Sequence, residues 1–145
     1  MKHLISILTA FVVCVTFASC GDPTSKIKSL AEDVSNNGSS WTEPDQWESF
    51  IMDAIDACCE FGESEFSEEE LDDFVNACID LAKDLQEVTE DRDVKKALRK
   101  AGKSIGDDED LEDRVRSAFK KATERAEELE YDLSDAFRTL RHLDL

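Results

Sequence analysis

From Trp47 to Leu143 the apolar side chains of this chain recur at steps of three and four, and no period-two alternation is sustained anywhere along it. A 3.6-residue period gathers such positions on one helical face, whereas a half-buried strand needs strict alternation. Two prolines and five glycines are all that interrupt the pattern in 145 residues, so few positions oppose helix. The chain is expected to be all-α, a small bundle of four to five helices with a central antiparallel hairpin and a long C-terminal helix. Phe, Leu, Ile and Val are frequent enough to bury one modest core, and one domain is expected.

A short first helix is expected over residues 26–34, with Ile27, Leu30, Ala31 and Val34 on one face and Ser25 as its cap. The turn-rich run Ser35-Asn36-Asn37-Gly38-Ser39-Ser40 reads as a linker. Residues 20–40 then form a short helix and tether, and residues 41–145 the acidic helical domain. Thr42 with Asp45 has capping-box spacing, and Pro44 suits a first turn. Trp47, Phe50, Ile51, Ala54, Ile55 and Cys58 follow, and Gly62 ends the second helix. Ser67 with Glu70 caps the third, whose stripe is Leu71, Phe74, Val75, Cys78, Leu81, Ala82, Leu85 and Val88. The short connection at residues 62–65 predicts that these two helices pair as a hairpin. A weaker fourth helix covers residues 91–103, and a last one runs from Asp107 to about His142.

Charge divides the chain further. Thirty-five Asp and Glu stand against 17 Lys and Arg, a formal charge of −18. Residues 29–82 hold sixteen acids and no Lys or Arg, whereas Arg92, Lys95, Lys96, Arg99, Lys100 and Lys103 crowd the fourth helix beside Asp93. The bulk of such a chain repels nucleic acid and anionic headgroups. The basic helix is expected to lie by the acidic hairpin and relieve its self-repulsion. The alternative is that the acidic surface, with Glu68, Glu69, Asp72 and Asp73, meets a cationic envelope protein, steered by long-range charge. Trp41 and Trp47 flank the capping turn, as surface anchors for a partner or as the closure of a core.

The N-terminus carries Lys2 and His3, an apolar run from Leu4 to Phe17, then Ala18, Ser19 and Cys20. This order resembles the lipobox signal of bacterial lipoproteins, with Phe17 standing where Leu is most often found. The resemblance covers residues 1–20. It implies cleavage of residues 1–19, a diacylglycerol on the Cys20 thiol, and usually acylation of the new amino group. Two or three chains hold a protein on a membrane where one does not, since each buried methylene contributes about 0.8 kcal/mol. In that family an Asp directly after the cysteine favours retention in the inner membrane of some Gram-negative bacteria. Gly21 stands there here, so the outer membrane is the expected destination. An ordinary secretory signal is the alternative; the apolar run is short of the ~20 residues a spanning helix needs.

Chemistry has little foothold. Once the leader is removed, His142 is the remaining histidine, near the chain end, so neither a Ser/His/Asp nor a Cys/His arrangement is expected. No Glu-x-x-His pair, phosphate loop or dinucleotide fingerprint occurs. Residues 106–110 have the charge of a calcium loop without its spacing, and Glu63, Glu65, Glu68 and Glu69 around a turn would hold a divalent ion only loosely. Neither an enzyme nor a cofactor is expected. A symmetric hairpin folded about residues 64 and 65 sets Cys58 opposite Leu71 and Cys78 opposite Ile51. That offset of about seven residues, ~10 Å, exceeds what a disulfide bridges. The expectation is two buried thiols at Cys58 and Cys78 and an exposed Cys59. Three functions follow as alternatives: a lipid-anchored binding or accessory protein, a self-associating structural lipoprotein, or a low-affinity cation-binding surface protein. The sequence leaves the oligomeric state open.

Overall fold

The first helix is capped by Asp22, whose Oδ1 accepts the Thr24 and Ser25 N–H groups at 3.1 and 3.4 Å. Pro23 then occupies the first turn, where a missing N–H is harmless. The computed structural model describes residues 22–142, so the leader, Cys20 and Leu143 lie outside the described residues. Those residues form α1 (Pro23–Asn37), a 3-10 turn (Gly38–Ser40), α2 (Pro44–Glu63), α3 (Glu68–Val88), α4 (Arg92–Gly106), α5 (Glu109–Glu128) and α6 (Ser134–Arg141). The all-α expectation holds, with six helices among the described residues rather than four to five.

Local sequence sets most boundaries. Ser67 Oγ accepts the Glu70 N–H at 3.2 Å, as its spacing predicted. At α2 the cap falls one residue later than Thr42: Glu43 is the N-cap, and its N–H donates to Gln46 Oε1 at 3.2 Å. Asp91 and Asp108 cap α4 and α5, accepting from Val94 at 3.3 Å and Leu111 at 3.1 Å.

The core unites Ile27 and Val34 of α1, Trp47, Phe50 and Phe61 of α2, Phe66 of the connection, Leu71, Phe74 and Leu81 of α3, and Val94 and Ala101 of α4. The most extensive helix–helix packing is α1 on α3, followed by α2 on α5, α2 on α4 and α1 on α2. Residues 23–40 are therefore not a tether. Ile27, Ala31, Val34 and Gly38 are buried, and α1 packs on both α2 and α3. Those two helices meet mainly through large side chains, Phe61 stacking on Phe74.

The single long C-terminal helix is also corrected. It breaks after Glu128, where Glu130 adopts φ 56°. The Tyr131 N–H reaches back to the Ala126 carbonyl at 2.9 Å and the Glu130 N–H to Glu127 at 3.0 Å. That is a Schellman closure, which satisfies carbonyls the helix end would otherwise leave open.

Candidate functional site

At about 100° per residue, Lys95, Arg99, Arg92, Lys103, Lys96 and Lys100 fall within roughly 140° of the α4 circumference. Val94, Ala97 and Ala101 occupy the opposite side and are buried. The apolar face thus fixes the rotation of α4 and turns its six cations outward, where they line an open concavity of about 430 Å³. A second hollow of about 320 Å³ continues it past Gln86, Thr89, Glu90, Arg92 and Lys95.

Carboxylates do not saturate this face. Among the described residues, Arg92, Lys96, Arg99, Lys100 and Lys103 have no ion-pair partner. The acids of α2 are met from other helices instead. Lys26 of α1 reaches Glu60 at 2.6 Å, and Arg114 of α5 reaches Asp56 at 2.7 Å and Glu63 at 3.6 Å. The hydrogen bond to Asp56 pushes the Arg114 guanidinium above its ordinary value. As expected from sequence, α4 lies by the acidic helices, packing on α2; the direct ion pairs to α2 come from Lys26 and Arg114, and five α4 cations have none among the described residues. Convergent Arg and Lys groups on one rigid helix suit carboxylate or phosphate groups, Arg through paired N–H donors.

The other residues singled out from sequence do not share one surface. Trp47 is 0% exposed, its indole N–H donating to the Trp41 carbonyl at 2.8 Å, and the two rings meet edge to face at 4.9 Å. Trp47 therefore closes the core instead of anchoring a partner, and Trp41 lies half-buried over it. Glu68, Glu69, Asp72 and Asp73 are exposed on the first turns of α3, and Asp72 accepts the Tyr131 hydroxyl at 2.8 Å. No three His, Cys, Asp or Glu side chains converge as metal ligands among the described residues. No described helix is long and apolar enough to cross a membrane.

Cys58 and Cys59 reverse their expected exposures, Cys58 being exposed and Cys59 buried, while Cys78 is half-buried. Burial pushes the Cys59 thiol up. The neighbouring thiols of Cys58 and Cys78 act on each other, which lowers the first and raises the second. The seven-residue offset was wrong because the connection is not a symmetric turn. Phe66 folds inward to 2% exposure and stacks on Phe61 at 4.4 Å, and Phe61 stacks on Phe74 at 3.9 Å. This three-ring column sets the register, and the aromatic residues flanking Ser64 and Glu65 were the signal that could have disclosed it. A comparison with protein-family models, curated proteins and solved structures finds no match to the chain.

Proposed function

We propose that this protein is a non-catalytic, lipid-anchored protein of the cell envelope that docks an acidic segment of a partner protein on the basic face of α4. The observation that carries the docking reading is the set of five outward-facing cations without ion-pair partners in a chain of charge −18. Self-repulsion favours pairing every cation that the fold can pair, so a face kept open is suited to a ligand from outside. The anchor rests on Lys2, the apolar run and Cys20. Cys20 lies two residues before Asp22, the cap of α1, so lipidation holds the start of α1 within about 10 Å of the membrane surface. The contact between the 3-10 turn and α4 sets the start of the basic face at the far end of α1, about 22 Å along its axis.

Two measurements test the reading. Intact mass and membrane fractionation compare the wild type with Cys20→Ala, both expressed with the leader in a bacterial host. Acyl chains on a protein starting at Cys20, lost with membrane association in the variant, are expected; an unlipidated soluble species in both removes the anchor. For docking, a labelled oligoglutamate peptide is titrated against the wild type and against the triple variant Lys96→Glu, Arg99→Glu, Lys100→Glu. Salt-sensitive binding confined to the wild type is expected. Equal binding by both proteins rejects the α4 face, and preference for an oligolysine peptide turns the assignment to Glu68, Glu69, Asp72 and Asp73 and a cationic partner.

Self-association is a second reading, favoured by the exposure of Val115, Phe119 and Phe137 at 40, 56 and 41%. Phe119 and Phe137 approach to 6.1 Å, which joins α5 and α6 into one apolar patch. It predicts a mass that increases with concentration and falls on Phe119→Ser.

A further inference from the structure

The structure assigns Cys58 and Cys78 as a site of intramolecular disulfide formation, closed by exchange with a small or protein disulfide and cross-linking α2 to α3. The inference stands apart from the anchor and from the α4 face, since neither contributes a residue to it.

Geometry comes first. Phe61 and Phe74 stack at 3.9 Å with an interplanar angle of 2°, which fixes how α2 lies against α3. Cys58 stands one turn before Phe61 and Cys78 one turn after Phe74, so the next layer beyond the stack is the thiol pair. The two thiols stand close enough for each to shift the titration of the other. A disulfide sets the sulfurs ~2.05 Å apart and the Cα atoms within about 7 Å, an adjustment divided between two side chains and two helices.

Accessibility and reactivity agree with the pairing. Cys58 is exposed, so an incoming disulfide reaches it, whereas Cys59 next to it is 1% exposed. The neighbouring Cys78 thiol favours the Cys58 thiolate, the attacking form in exchange. The Cys58 thiolate attacks one sulfur of the external disulfide, whose S–S bond breaks and releases one thiolate. Cys78 then gives up its proton and attacks the Cys58 sulfur, expelling the second thiolate. The two protein thiols lose two electrons and two protons; the external disulfide takes up both and leaves as two thiols.

The test uses the purified full chain, incubated with oxidised glutathione and digested without reduction. Trypsin cannot separate the cysteines, since residues 29–82 contain no Lys or Arg, so a protease that cuts at acidic residues is needed. In the wild type and in Cys59→Ala the peptides of Cys58 and Cys78 are expected to be joined within one chain, with a higher Tm that dithiothreitol reverses. In Cys78→Ala, Cys58 is expected to remain as its glutathione adduct. Separate glutathione adducts on Cys58 and Cys78, free thiols on both, or a bond between two chains would overturn the assignment. Retention of the linked peptide in Cys59→Ala separates Cys58 from its neighbour without relying on a variant that removes either partner.

Discussion

Glu130 holds φ 56°, a conformation that costs a side-chain-bearing residue about 1 kcal/mol and glycine nothing. Its side chain is exposed and makes no ion pair within the described residues, so nothing there offsets the strain. Glu130→Gly is expected to stabilise the protein by roughly 0.5–1 kcal/mol, read as a higher Tm; a lower Tm would mean that the closure between α5 and α6 draws on the side chain. The next residue, Tyr131, is the one tyrosine of the chain. Burial, then the hydrogen bond to Asp72, then the charges of Asp72 and Glu68 push its hydroxyl up to about 12. The folded state therefore keeps a proton that an unfolded tyrosine loses near its ordinary value of 10.0. The contribution is complete below pH 10 and disappears as pH rises towards about 12. Absorbance titration of the phenol should place its midpoint well above that of the unfolded chain. Asp72→Asn should bring the midpoint down, and an unchanged midpoint would show that burial alone sets it. None of this was legible in sequence: Leu129 and Leu133 keep the helical period across the break, and Glu130 is no signature of left-handed backbone.

At the scale of elements, Gly62 shows how a correct signal was given the wrong cause. Its residue type suggested the end of α2, and α2 does end one residue later, at Glu63. The reason for glycine is packing: a Cβ there would stand 2.5 Å from the Ala118 carbonyl oxygen, because α5 crosses α2 with backbone nearly touching backbone. Gly62→Ala forces the helices apart and should cost about 1–3 kcal/mol in chemical denaturation. A neutral result would mean that α5 is loosely held on α2. The apolar stripes of α2, α3 and α4, the Ser67 cap and the amphipathic character of α4 were readable because each is set within one helix. The core position of α1, the column Phe66, Phe61, Phe74 and the meeting of Cys58 with Cys78 were not. Those depend on which face of one helix meets which face of another, and a connection that buries a phenylalanine shifts that register by two turns.

The whole molecule carries −18, and charge of that size opposes compaction. Its relief is uneven: Lys26 and Arg114 pair with acids of α2, while most of the α4 cations act only at a distance. Exposed pairs contribute little singly, so the long-range term should dominate the response to solution conditions. Two carboxyl groups point the same way. Burial, then Asp56, raises Asp53 above its ordinary 3.8 against the opposing charge of Lys26, and burial, then Glu87 and Asp80, raises Asp84. A carboxyl whose folded value is raised stabilises the protein fully below 3.8 and ceases to do so as pH rises through that folded value. Both effects predict a Tm that increases from neutral pH down to about pH 5. Screening removes repulsion where charge is greatest, so salt at about 0.5 M, with a Debye length of roughly 4 Å, should raise the neutral Tm more than the acidic one. Tm measured at both pH values, in low and high salt, distinguishes this from a protein stabilised mainly by ion pairs. In that case acidification and salt would each lower Tm, and Lys26→Gln or Arg114→Gln would abolish the salt response. Here those variants are expected to lower the low-salt Tm slightly and to leave a larger gain on adding salt, because each removes one cation from a partly exposed acidic face of α2.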